Sequence, residues 1–146
     1  MKHKILYLFL LLIIIAAGCV KSASNAPPPP VPSGTFSGQF KLYHRHTDKV
    51  PYDSLITNIT VTFKTPDYTY AVTGDTTTLH AGSYGTYGVS VPYMIFNDKT
   101  YNPTAPYTKT HLSGEYLYNY DGTTLILQAS SVDTLILGYV LKKISN

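Results

Sequence analysis

Alternating apolar and polar side chains run through most of the chain from residue 34 onward. The first such run has its apolar positions at Phe36, Gly38, Phe40 and Leu42, with polar residues between them. Similar runs cover 59–63, 68–72 and 112–120, and each predicts a strand with one buried face. Segments 125–127 and 135–141 are apolar at consecutive positions, which is typical of strands covered on both faces. Because no window of helical length carries an apolar stripe at helical spacing, we expect an all-β domain.

Short turn sequences separate these runs and predict the order of the strands. Asp121-Gly122 is the strongest hairpin signal, since alternating residues flank it on both sides. Short connections place consecutive strands side by side, which predicts an antiparallel up-and-down meander of about eight strands. Closing this meander into a barrel would hide its two edges, and a two-sheet β-sandwich is the alternative. The long irregular stretch 97–110 is either a functional loop over the barrel mouth or a disordered excursion.

The first 18 residues have the pattern of a secretory leader. Lys2 and Lys4 precede an apolar run over 5–15, which is too short to cross a bilayer as a helix. Ala16-Ala17-Gly18-Cys19 resembles a bacterial lipobox, although that motif prefers Leu where Ala16 stands. We therefore expect a signal peptide over 1–18 and lipidation of Cys19, with an ordinary cleaved signal or an uncleaved anchor as alternatives. Cys19 is the only cysteine, so no internal disulfide is available.

Residues 19–33 are expected to be a lipidated cysteine followed by a proline-rich tether. Proline at 27–30 and at 32 favours polyproline II, a semi-rigid spacer, over a recognition peptide for a proline-binding domain. By resemblance to the sorting of enterobacterial lipoproteins, Val20 after the lipidated cysteine points to the outer membrane. The chain lacks the acidic cluster that marks surface export in Bacteroidota lipoproteins, so we expect an outer-membrane lipoprotein that faces the periplasm. The predicted partner is thus the membrane, reached through the lipid anchor, and 34–146 forms a single domain.

The charge balance and the small number of acidic residues argue against nucleic-acid binding and acid–base catalysis. The 11 Lys and Arg residues nearly balance the 8 Asp and Glu residues once the two leader lysines are set aside, and no basic patch indicates nucleic-acid binding. Glu115 is the only glutamate, and most aspartates fall at turns. No pair of carboxylates is arranged for acid–base catalysis, so we expect neither an enzyme nor a cofactor.

Three short motifs carry a resemblance to a known family. Gly34-Thr35-Phe36 with Gly38, the Gly-Ser-Tyr-Gly-Thr-Tyr segment 82–87, and the closing segment 139–144 together resemble the lipocalin-like lipoproteins of Bacteroidota, within the calycin group. The chain has no tryptophan, so Phe36 stands where the Trp that plugs a lipocalin barrel would be. The resemblance implies a barrel with room for a ligand and names no ligand.

Tyrosines gather on the predicted strands and suggest an amphipathic interior, because a Tyr ring has an apolar body and a hydroxyl tip. The candidate ligand-binding residues are Phe40, Leu42, Tyr68, Tyr70, Tyr84, Tyr116 and Tyr118. We predict a membrane-anchored, non-enzymatic binding lipoprotein that holds a small amphipathic or ring-bearing ligand. The alternative is a structural or interaction lipoprotein of the cell envelope, in which these rings fill a narrow barrel and loops make the protein contacts.

Two further patterns are weaker. His44 and His46 would share one face of a strand and could hold zinc with His80 or His111, but charged residues around them favour a solvated strand end, so no metal is predicted. Ser54, Thr76 and Thr134 each follow an aspartate and resemble O-glycosylation acceptors of Bacteroidota. Ordinary Asp-Thr turn chemistry is the alternative.

Overall fold

Eight antiparallel strands account for nearly all of the regular structure. The structure, a computed structural model, describes residues 30–44, 53–102, 104, 108–130 and 135–146, with only the backbone described at 44, 53 and 135. The strands are β1 (Gly34–His44), β2 (Asp53–Lys64), β3 (Thr69–Gly74), β4 (Tyr84–Ser90), β5 (Tyr93–Asp98), β6 (Gly114–Tyr120), β7 (Thr124–Ser130) and β8 (Leu135–Ser145). Each strand pairs with its sequence neighbours, and β1 also pairs with β8, so the sheet is a closed barrel. The all-β meander and its closure are confirmed.

The seam between β1 and β8 is a long antiparallel ladder that runs from Thr35 opposite Ser145 to His44 opposite Leu135. Gly38 allows the two backbones to approach closely, because a Cβ at this position would overlap the carbonyl oxygen of Val140. Glycine is thus required here for the path of β8 rather than for a turn.

The barrel interior holds one apolar core to which every strand contributes. The strand alternation sends every second side chain inward, and the buried apolar residues are Phe36, Phe40, Leu42, Ile59, Val61, Phe63, Tyr70, Val72, Tyr87, Met94, Phe96, Leu112, Tyr116, Leu125, Leu127, Tyr139 and Leu141. Phe36 is fully buried. All strands and all of these residues lie between Gly34 and Ser145, and the buried hydroxyl of Tyr87 also donates to the carbonyl oxygen of Pro32 at 2.9 Å.

Turn residues explain where the strands end. Gly122, with a φ of +97°, completes the β6–β7 hairpin, and Asp121 Oδ1 accepts hydrogen bonds from the backbone of Thr123 and Thr124 at 2.8 and 2.7 Å. The predicted strand that begins at Tyr68 is wrong by one residue. Tyr68 adopts a left-handed φ of +50° in the β2–β3 turn, so β3 begins at Thr69.

The two ends of the barrel differ. At the entry end, where the chain enters at Gly34, the connections β2–β3, β4–β5 and β6–β7 are two to four residues long. At the opposite end, the loop end, the connections span 45–52, 75–83, 99–113 and 131–134. Since successive strands run in opposite directions, all of the long connections lie at the loop end.

Candidate functional site

Aromatic rings from four strands meet at Phe96 in the centre of the barrel. Its ring centroid lies 5.1 Å from Tyr70, 5.6 Å from Tyr116, 6.3 Å from Phe63 and 6.5 Å from Tyr87. The contacts with Tyr70 and Tyr116 are edge-to-face, the geometry that aromatic pairs prefer. Because these partners come from β2, β3, β4 and β6, rings from five consecutive strands are packed against one another inside the barrel.

A second group of rings continues this network toward β1 and β8. The ring of Tyr139 lies 4.8 Å from Phe40, 5.6 Å from Tyr116 and 5.7 Å from the imidazole of His80. Phe40 also meets His80 edge-to-face at 4.8 Å. The aromatic network therefore runs without interruption from Phe63 to His80.

His80 is the polar centre of the network. Its Nδ1 lies 2.6 Å from the carbonyl oxygen of Ala81, which can only accept, so Nδ1 carries the proton. Its Nε2 therefore accepts the hydrogen bond from the hydroxyl of Tyr139, at 2.9 Å. Burial lowers the pKa of His80 to about 4 and raises that of Tyr139 well above its usual value. Both groups are thus neutral at pH 7.

Other buried hydroxyls are less completely paired. Tyr70 donates to the carbonyl oxygen of Leu112 at 2.5 Å, and burial raises its pKa. The hydroxyls of Tyr116, Tyr118 and Ser83 make no hydrogen bond of good geometry with a described residue, and burial raises the pKa of Tyr116 to about 12. Since a buried hydroxyl without a partner is costly, these three are candidates for contact with a small polar molecule.

A buried carboxylate fixes the start and the end of the β5–β6 connection at the loop end. Asp98 Oδ2 lies 2.8 Å from His111 Nδ1, and Oδ1 accepts from the backbone N–H and the hydroxyl of Thr100 at 2.7 and 2.6 Å. The Asp98 side chain is fully buried, whereas that of His111 is 17% exposed. A short parallel bridge between His80 and Thr110 adds a second attachment. The described parts of the predicted loop over the barrel mouth are therefore held in place.

The predicted ligand-binding residues separate into two groups. Phe40, Leu42, Tyr70 and Tyr116 are buried inside the barrel, and Tyr118 is half-buried against the same core. The expectation that Tyr68 and Tyr84 share this interior is wrong, because these side chains are 44% and 56% exposed. Tyr68 is carried outward by its turn, and Tyr84 occupies an outward position of β4, on which Gly85 and Tyr87 point inward.

Sequence reasoning missed Tyr87, Phe96, Tyr139 and His80 as members of the interior cluster. The first three sit at inward positions of strands, so the two-residue period could have identified them. His80 lies outside every strand and is fully buried by the connection that carries it, a placement for which the local sequence has no signal.

The remaining candidates are only partly within the described residues. His44 ends β1, but its side chain and all of His46 lie outside that set, as do Cys19 and Thr134. Ser54 is exposed on β2, and Thr76 is half-buried in the β3–β4 connection. Among the described residues no group of three or more His, Cys, Asp or Glu side chains could hold a metal ion.

Two grooves on the outer surface are lined by described residues. The larger, of about 350 Å³, lies over β1, β8 and β7, and the smaller, of about 260 Å³, is lined by Lys64, Lys99 and Tyr84 among others. The expectation that β7 and β8 are covered on both faces is wrong for the described residues. Ile126 and Val140 point outward and are 43% and 41% exposed, so the apolar outer positions line a groove rather than a second core.

The closed eight-stranded antiparallel barrel agrees with a calycin-like fold at the level of architecture. In the described part of the chain, no helix has the length and apolar character needed to span a membrane. Comparison with protein-family models, with curated proteins and with solved structures gives no match.

Proposed function

We propose that this protein is a membrane-anchored, non-enzymatic interaction lipoprotein of the cell envelope, whose barrel is a packed scaffold and whose loop end contacts a protein partner. The observation that carries the proposal is the ring cluster around Phe96, which joins side chains of β2, β3, β4 and β6 across the interior. An interior occupied by the protein's own rings favours recognition on the outside of the barrel.

The strand order supports the assignment of the loop end. The proposed lipid on Cys19 and the tether lead into Gly34, at the entry end. The opposite end is separated from it by the 11-residue β1, roughly 25–30 Å along a tilted barrel strand. A chain anchored in this way presents its three longest connections, 45–52, 75–83 and 99–113, away from the lipid surface.

The state of the polar groups supports a non-enzymatic role. His80 donates and accepts one hydrogen bond each inside the core, and its lowered pKa, about 4 because of burial, makes it a weak base. Asp98 accepts from Thr100 and contacts His111 while it is fully buried. Both residues therefore serve the attachment of connections, and neither faces an open site.

A second candidate function is retention of a small ligand inside the barrel. It is favoured by the hydroxyls of Tyr116, Tyr118 and Ser83, which point into the interior without hydrogen bonds of good geometry. A small molecule with two or three polar atoms could satisfy them.

In-cell photocrosslinking of the full-length chain tests the leading proposal. A photoreactive residue is placed at Thr78 or Thr104, exposed at the loop end, and in the matched controls at Asp67 or Thr123, exposed at the entry end. We expect a discrete protein adduct from the loop-end positions alone, and loss of membrane association in Cys19→Ser. Adducts of equal yield from both ends, or from neither, contradict the loop-end assignment.

Native mass spectrometry separates the two candidates. The sample is the chain from residue 20 onward, which contains the whole described structure. A packed scaffold gives the mass of the polypeptide alone. Stoichiometric extra mass that is lost on denaturation, and lost in a Tyr116→Phe, Ser83→Ala variant, favours the interior ligand instead.

A further inference from the structure

The larger outer groove is lined mostly by outward-facing apolar side chains, and its floor is formed by strand backbone. Its outward-facing lining residues are Lys41, Tyr43, Ile126, Gln128, Ile136, Gly138 and Val140. Leu127 and Tyr139 also line it, and because their side chains are fully buried inside the barrel, only their backbones are available to the groove. Gly138 lies opposite Lys41 in the β1–β8 ladder, so the lack of a side chain at Gly138 opens the floor between two strands.

The charge of the groove is one-sided. Among the residues that the structure describes, Lys41 is the only charged residue that lines it, and no acidic side chain does. Within the described residues Lys41 makes no ion pair, since the ion pair found there joins His111 to Asp98. The ammonium group of Lys41 therefore lies beside exposed apolar surface, with no carboxylate of a described residue paired to it.

The size of the groove favours a small molecule over a protein. Its volume of about 350 Å³ lies at the lower end of small-ligand sites, which span roughly 300–1,000 Å³. Stable protein interfaces use about 20–30 residues on each side, whereas this groove is lined by nine.

We propose that this outer groove binds a free anionic amphiphile, a monocarboxylate with a single apolar chain. The chain lies on Ile126, Ile136 and Val140, and the carboxylate pairs with Lys41. The site goes beyond the proposed function, because it needs neither the membrane anchor nor a protein partner.

Gly138 and Gly88 provide a matched pair of variants. A Cβ at Gly138 would meet only Tyr43 and the Lys41 carbonyl at 3.8 and 3.9 Å, which is ordinary contact, so Gly138→Val fills the groove without strain. Gly88 lies on the outer face of β4, where an added Cβ meets nothing within 4 Å. Gly88→Val therefore makes the same change away from the groove.

The probe is decanoate, titrated below its micelle concentration into the chain from residue 20 onward and followed by amide chemical shifts in two-dimensional NMR. Decyltrimethylammonium, with the same chain and the opposite charge, is the ligand control. We expect saturable shifts at Tyr43, Ile126 and Ile136 with decanoate. Gly138→Val should weaken binding by at least about tenfold, which is 1.4 kcal/mol, and Gly88→Val should not weaken it.

Lys41→Gln tests the charge separately from the shape. The variant should weaken decanoate binding about threefold, as expected for one exposed ion pair, and should leave the affinity for neutral decanol unchanged. Any of three results overturns the proposal: no saturable binding of decanoate, equal loss in Gly88→Val and Gly138→Val, or shifts confined to interior residues such as Tyr116.

Discussion

His80 should make the stability of the barrel depend on pH through its burial. In the unfolded chain a histidine has a pKa near 6.5, whereas in the folded barrel burial lowers the pKa of His80 to about 4. Between these two values the unfolded state binds the proton and the folded state does not. The stability contributed by neutral His80 is therefore fully present above pH 6.5 and is lost as the pH falls toward 4.

The size of the effect follows from the two pKa values. For a pKa of 6.5 in the unfolded state and about 4 in the folded state, the free energy of unfolding falls by about 2 kcal/mol between pH 7 and pH 5. Two other titratable groups act on the pKa of His80 more weakly than burial does: His111 lowers it and Asp98 raises it.

Urea denaturation of the chain from residue 20 onward, followed by circular dichroism at several pH values, measures this loss. The control is His80→Gln, whose amide oxygen can accept from Tyr139 but does not titrate. Because Asp98 and His111 remain in the variant, the difference in pH dependence between the two proteins isolates His80. Parallel loss of stability in both proteins between pH 7 and pH 5 would refute the assignment of His80 as a neutral core residue.

Three further predictions concern the packing of the barrel, each measured as a change in the free energy of unfolding. Phe96→Ala should lower the free energy of unfolding by about 3–5 kcal/mol, because it removes the ring that contacts side chains of four other strands. Ile95→Ala, on the outer face, should lower it by less than about 1 kcal/mol. Equal losses in the two variants would contradict a packed interior. Gly38→Ala should lower the free energy of unfolding by about 1–3 kcal/mol, since its Cβ overlaps the backbone of β8. Gly88→Ala should change it by no more than about 0.5 kcal/mol. A Gly38→Ala variant as stable as the original protein would contradict the close approach of β1 and β8. Tyr116→Phe should be neutral or slightly stabilising, because its hydroxyl has no well-formed hydrogen bond to lose; a loss above about 1 kcal/mol would indicate a partner for that hydroxyl.

The alternation of side chains predicts the fold well because it reports directly which face of a strand is buried. Phe36, Phe40 and Leu42 were expected on one face of β1, and all three are buried inside the barrel. The hairpin at Asp121-Gly122 is also confirmed, since its turn chemistry depends on local residues alone.

Placement of the tyrosines could be predicted only in part, for two physical reasons. Alternation tells which residues of a strand share a face, but it does not tell at which residue the strand begins. Tyr68 and Tyr70 are two residues apart and would share a face, yet Tyr68 lies in a left-handed turn before the strand. Near Tyr84 the sequence does not indicate which positions face inward, because the neighbouring inward position is occupied by Gly85, which has no side chain. A ring contact such as that of Tyr139 with His80 joins residues far apart in sequence, and no local pattern encodes it.

The pairing of the first strand with the last sets the order in which this protein can fold. The β1–β8 ladder joins residues about 100 positions apart, so the barrel cannot close before β8 has been released for pairing. Until then β1 has an unpaired edge, and Phe40 lacks its ring contact with Tyr139 of β8. Such non-local closure is slow compared with hairpin formation. A chain of this topology thus keeps two unpaired strand edges until its final strand is available for pairing.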